Sequence, residues 1–164
     1  KFDFTILTIF YLSLVYILIT ISFIDLEHMI IPDGLVLAAA LLGLMALIFN
    51  ILPIGWPDSA YGALLYGGVM AGVGYVGKLV YKMDALGGGD VKLAGVLGLY
   101  LGWKMSMISL LLAFLVAALF VVVGLAVGRL SRKQLIPFGP FLALGAIMTL
   151  FWGEQLYNWY LHLF

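Results

Sequence analysis

Seven apolar blocks separated by short polar patches run the length of the chain, more than one small core can hide. A helix needs about 20 apolar residues to cross roughly 30 Å of hydrocarbon, and the longer blocks have that length. Residues 4–24 form an unbroken first candidate span, ended by Asp25-Leu26-Glu27-His28. A second covers residues 34–52 and is closed by Pro53 and Pro57. A third, rich in Gly, covers residues 60–77 and is ended by Lys78, Lys82 and Asp84. The fourth is short, from Gly88 to Trp103, with Asp90 in its first turn. A fifth covers 105–128 and precedes a basic patch at Arg129, Arg132 and Lys133. A sixth covers 138–152, and the aromatic tail 155–164 is placed at an interface. The expectation is an all-α polytopic membrane protein of about six transmembrane helices, one domain over 1–164 with no tandem repeat.

Composition agrees. Of 164 residues, 65% are apolar and 10% charged, with a mean hydropathy of +1.21, against roughly 45–50% and about 25% in soluble domains. Eight Lys+Arg balance eight Asp+Glu, so no basic excess argues for nucleic acid. Without Cys there is no disulfide framework, thiolate nucleophile or Cys-ligated metal. Two His, His28 and His162, are too few for a His-rich metal cage, and no metal site is expected. Residue 1 is Lys rather than Met, so the chain is taken as processed or truncated. The first block lacks a basic start and a small-residue cleavage site, which makes it a span rather than a signal peptide.

Charge gives sidedness. With strict alternation, the ends after spans one, three and five share a side and hold Lys78, Lys82, Lys92, Arg129, Arg132 and Lys133, against Lys1 and Lys104 opposite. The positive-inside rule makes the first side cytoplasmic. Aromatic residues such as Trp56, Trp103, Trp152 and Trp159 fall toward the other side. Small residues repeat at four-residue spacing, as in Ala63-Gly67-Ala71 and Ala94-Gly98-Gly102, a pattern that lets helices approach closely in lipid.

Sidedness has a chemical consequence. Asp25, ending span one, and Asp90, starting span four, fall on the same side, just inside the hydrocarbon edge. Ionisable groups there are costly and point to function. Brought together, two carboxylates share a proton. One can then take a proton from water while the other donates to a carbonyl oxygen, the division of labour of an aspartic protease. Gly87-Gly88-Gly89 before Asp90 permits close backbone approach by an extended substrate strand. Blander roles stand beside these: Asp90 as a cap of span four, Asp25 as an interfacial acid, and the pair as a proton or sodium relay in a transporter or channel.

Three segments carry a family resemblance. Residues 23–33, Phe-Ile-Asp25-Leu-Glu27-His-Met-Ile-Ile-Pro32-Asp33, resemble the first catalytic segment of type IV prepilin peptidases. Residues 85–93, with Gly87-Gly88-Gly89-Asp90-Val-Lys92-Leu, are similar to their GxGD segment. Residues 136–145, with Pro137-Phe-Gly-Pro140-Phe, are similar to a late stretch of the family. The resemblance implies a GxGD membrane aspartic protease of the bacterial inner membrane, its catalytic pair Asp25 and Asp90 facing the cytoplasm. The substrates it implies are type IV prepilins or secretion-system pseudopilins, cut behind a short basic leader. Gly87 and Gly89 match the fixed glycines, while Pro32, Asp33, Lys92 and 137–140 match supporting positions. Longer members carry an upstream cytosolic segment with two zinc-binding Cys pairs and methylate the new N-terminus using S-adenosylmethionine. That segment has no counterpart here, so proteolysis without a cofactor is expected, and S-adenosylmethionine only if methylation is retained. Lipid is the other expected partner.

Other acids on the same side, Glu27, Asp33 and Asp84, are candidates to attract the leader's Lys and Arg; interfacial solvation is the plainer role of Glu27 and Asp84, and a cap on span two that of Asp33. Lys92 either acts on Asp90 by charge or snorkels and fixes orientation.

Overall fold

The computed structural model of the chain describes residues 6–81, 86–130 and 136–162. Within them the protein is helical throughout: α1 (Ile6–His28), α2 (Asp33–Ile48), α3 (Trp56–Tyr81), α4 (Gly88–Ala126) and α5 (Gly139–Leu161). Three stretches, Ile6–His28, Trp56–Val80 and Gly88–Ala126, are long and apolar enough to cross a membrane, and the fold is that of a membrane helical bundle.

The bounds differ instructively from the hydropathy blocks. The first helix does not stop at Asp25 but carries it, with Leu26, Glu27 and His28, on its last turn. A helix continues past the apolar edge because its hydrogen bonds are internal. The second ends earlier than 52, at Ile48, and the chain turns at Asn50, whose φ is 52°. Pro57 belongs to the first turn of α3 rather than to a closing loop, where its missing N–H costs nothing. The aromatic tail continues α5 as far as Leu161.

The 39 residues of α4 would span about 58 Å if straight. They do not. Gly102 has φ 68° and ψ 174°, a left-handed conformation that side chains with a Cβ resist, and the helix doubles back there. The neighbours prove the reversal. Gly89, at one extremity, lies against Ile31, and Ile31 also lies against Gly139. Near the other extremity the Phe120 ring meets Phe141, two residues from Gly139, at 5.5 Å. Both ends of α4 therefore meet one end of α5, and residues 88–101 and 103–126 are antiparallel limbs. Counted this way the helical segments match the fourth and fifth blocks of the sequence.

In lipid there is little hydrophobic force between helices, so close packing and buried hydrogen bonds hold them. α3 lies antiparallel on the first limb of α4 with Gly62 against Gly98 and Gly102, and Gly67 against Gly95. Buried Tyr66 on α3 shares a 3.1 Å hydrogen bond with Ser109 on the second limb. Tyr100 donates to the Ala39 carbonyl of α2 at 2.8 Å. α5 packs on the second limb, where Gly145 approaches the Ser109 carbonyl and Ala113, and α1 packs on α5. The result gathers the end of α1 and the starts of α2, α4 and α5 at one end of the bundle, as strict alternation requires.

Candidate active site

Asp25 and Asp90 come from separate helices and both are buried at that shared end, 5% and 8% exposed. Asp25 is on the last turn of α1. Its Oδ2 accepts a 2.9 Å hydrogen bond from the backbone N–H of Gly139, the first residue of α5. Helix starts leave N–H groups unpaired and carry partial positive charge, so α5 presents a donor to the carboxylate. A Cβ at Gly139 would stand 2.7 Å from that same oxygen, which only glycine avoids. Pro137 and Pro140 on either side have no N–H to compete.

Asp90 sits in the first turn of α4. Its Oδ2 accepts from the Gly87 N–H at 3.2 Å, and its own N–H donates to the Gly87 carbonyl at 3.2 Å. Capping is thus real but accounts for one oxygen only. The other, Oδ1, is buried with no hydrogen-bond partner among the described residues. A buried carboxylate oxygen without a donor is costly, and such orphans call for a proton, a water or a ligand. The two acids share one corner of the bundle, because Gly89, which precedes Asp90, and Gly139, the donor to Asp25, both lie against Ile31.

The three glycines divide. A Cβ at Gly87 would crowd Asp90 Oδ2 at 3.2 Å, and one at Gly89 would meet the Cβ of Ile31 at 2.8 Å. At Gly88 it would meet nothing within 4 Å. The middle position is sterically free while its neighbours are not.

The remaining candidates lie around the rim. Asp33 opens α2 but makes no side-chain cap. Its carboxylate instead holds Lys92 Nζ at 2.8 and 2.9 Å. Lys92 therefore ties α4 to α2, and both side chains remain largely exposed. Glu27 is exposed and lies 3.9 Å from the His28 ring, so His28 turns outward. Asp84 lies outside the described residues, as do Lys82, Arg132 and Lys133. No group of three His, Cys, Asp or Glu side chains suited to a metal occurs among the described residues. The sequence marks 137–140 as supporting without saying how, and it is the Gly139 N–H that holds Asp25; Ile31, which touches Gly89 and Gly139, is not singled out.

This geometry can be set beside known proteins. The chain is 34% identical over 163 residues to a "prepilin leader peptidase/N-methyltransferase" of Legionella pneumophila, covering 98% of this chain and 55% of that protein. Proteins of the same description from Aeromonas hydrophila and Pseudomonas aeruginosa are 37% and 35% identical over 153 and 150 residues, each covering 92% of this chain and 51% of the relative. The chain thus spans about half the length of the curated relatives it matches. No solved structure matches it. The model of the type IV leader peptidase family matches residues 12–122, a stretch that contains both Asp25 and Asp90 and ends before Gly139. On that match the chain belongs to the type IV leader peptidase family.

Proposed function

We propose that the protein is a membrane aspartic endopeptidase that removes the basic leader of type IV prepilins or pseudopilins at the cytoplasmic face of the bacterial inner membrane. The observation that carries this reading is the gathering of two buried carboxylates from distant segments at one end of the bundle, one with an oxygen that has no partner among the described residues. The names of the similar proteins supply the substrate class. Orientation follows from charge, since Lys78, Lys92 and Arg129 share the carboxylate end and Lys104 lies at the other.

In this mechanism the ionised member of the pair takes a proton from a water whose oxygen attacks the scissile carbonyl carbon. The protonated member gives its proton to the carbonyl oxygen. Collapse of the resulting diol breaks the C–N bond, and the leaving nitrogen takes up a proton. Water is the only co-reactant. Proteolysis by this pair needs no S-adenosylmethionine. The substrate's apolar helix rests in the bilayer while its leader stays in the cytoplasm, where exposed Glu27 offers charge to the leader's Lys and Arg. Asp33 is less suited to that task than its sequence position suggests, because Lys92 already neutralises it.

The test is cleavage of a purified prepilin in detergent. Asp25→Asn and Asp90→Asn, each alone, are expected to lower the rate about a thousandfold or more with helix content unchanged. Cutting retained by either variant removes that residue from the chemistry. Ion flux through the protein without any cleavage would instead support a relay.

A further inference from the structure

Between α1 and α2 the chain has four residues, Met29 to Pro32, in which to reverse. Met29 closes α1 with its N–H on the Asp25 carbonyl at 2.8 Å and takes a φ of 55°, the left-handed form that commonly ends helices. Pro32 caps α2 at φ −67° and ψ 122°, and its carbonyl accepts from Leu35 and Val36. Met29 and Ile30 face outward, but Ile31 turns in and is only 8% exposed.

What Ile31 touches is specific. Its Cβ, Cγ1 and Cγ2 lie 2.8, 3.5 and 3.6 Å from where a Gly89 Cβ would be, and its Cδ1 lies 3.3 Å from where a Gly139 Cβ would be. Gly89 immediately precedes Asp90, and Gly139 is the donor to Asp25. One side chain therefore stands between the backbone that carries one acid and the backbone that holds the other. Its own freedom is small. A residue before proline is confined to extended conformations, and a β-branched side chain is stiff at χ1. Since Met29 and Pro32 are fixed by the two helix ends, Ile31 behaves as a rigid pin rather than a soft filler.

We infer that Ile31 is the spacer that sets the separation of Asp25 and Asp90, a positioning residue acting through Gly89 and Gly139. The two motif glycines then share one reason for lacking a side chain: each must close onto this pin. The inference rests on the acid-pair reading for its catalytic meaning, but the distance it concerns is measurable without catalysis.

Residues 1–164 contain no Cys, so in this polypeptide Asp25→Cys with Asp90→Cys gives a unique thiol pair. Bifunctional methanethiosulfonates of graded length then report the span, in backgrounds that keep Ile31 or carry Ile31→Val, Ile31→Leu or Ile31→Ala. Ile31→Ala is expected to move the optimal reagent length and widen the range of lengths that link the pair. Ile31→Leu, equal in volume but branched one atom further out, is expected to disturb it more than Ile31→Val, which keeps the β-branch. In the protein with both acids intact, Ile31→Ala is expected to lower kcat about tenfold or more with KM within about twofold, and Ile31→Val to restore most of the rate. An unchanged length optimum in all backgrounds overturns the inference, as does a kcat loss that only follows the folded fraction. If Ile31→Ala does not fold, the Val and Leu variants decide by the same measurement. Should Asp25→Asn cleave normally while the length optimum still shifts, the proteolytic reading fails and the spacer stands.

Discussion

The seam between α3 and the first limb of α4 and the rim around Asp25 and Asp90 are both built on glycine, yet an added methyl group would strike different things in each. At the seam, a Cβ on Gly98 would run into the Gly62 carbonyl and the Ala63 nitrogen, and one on Gly62 into the Gly98 carbonyl and Gly102. These are backbone atoms of packed helices and have nowhere to go. At the rim, the obstacles are a carboxylate oxygen at Gly139 and Gly87 and an isoleucine side chain at Gly89. Those groups can shift, but only by moving the acids. The seam uses absent side chains to bring helices together, which concerns stability. The rim uses them to position the two acids, which on the proposed reading concerns turnover.

Substitutions separate the two uses. The largest effect on folding is expected from Gly98→Ala, where overpacking against backbone costs about 3 kcal/mol or more. Its thermal unfolding in detergent should fall sharply, and its activity should fall only as far as the folded fraction does. A folded, fully stable Gly98→Ala would break the comparison from the seam side. Next comes Gly139→Ala. Helix propensity alone would favour it, so its unfolding temperature should hardly change, while crowding of Asp25 should reduce prepilin cleavage roughly tenfold to a hundredfold. If Gly139→Ala instead melts early and cleaves in proportion, the rim is a second seam. The smallest effect belongs to Gly88→Ala, which meets no neighbour within 4 Å. Cleavage and melting should both stay near those of the parent, within about 0.5 kcal/mol.

Much of this was legible from the letters, for identifiable reasons. Strict alternation of the apolar blocks puts Asp25 and Asp90 at one end, and the helix contacts gather both acids there. The limits of α1 were not legible, because Asp25-Leu26-Glu27-His28 looks like a terminator although helical hydrogen bonding carries through it. Nothing marks Gly102 as a reversal: the same letter at the same spacing serves for packing at Gly98, and only the backbone angle distinguishes them. The partner of Asp33 escaped because an ion pair between α2 and α4 depends on which helices are neighbours, whereas a cap is a local property. What Gly139 contributes escaped for a deeper reason. Its contribution is an N–H that nearly every residue possesses, so its importance comes from position, with the flanking prolines as the one hint.

The turn at Gly102 also bears on how the protein is made. Residues 88–101 extend about 21 Å as a helix, less than the roughly 30 Å of hydrocarbon, and they join the next limb through a tight turn in which Lys104 is the one charge. A segment too brief to lodge by itself, and without an exposed loop to halt at, enters the bilayer together with its successor. The two limbs are therefore expected to enter the bilayer as one hairpin, with Asp90 carried in by the pair.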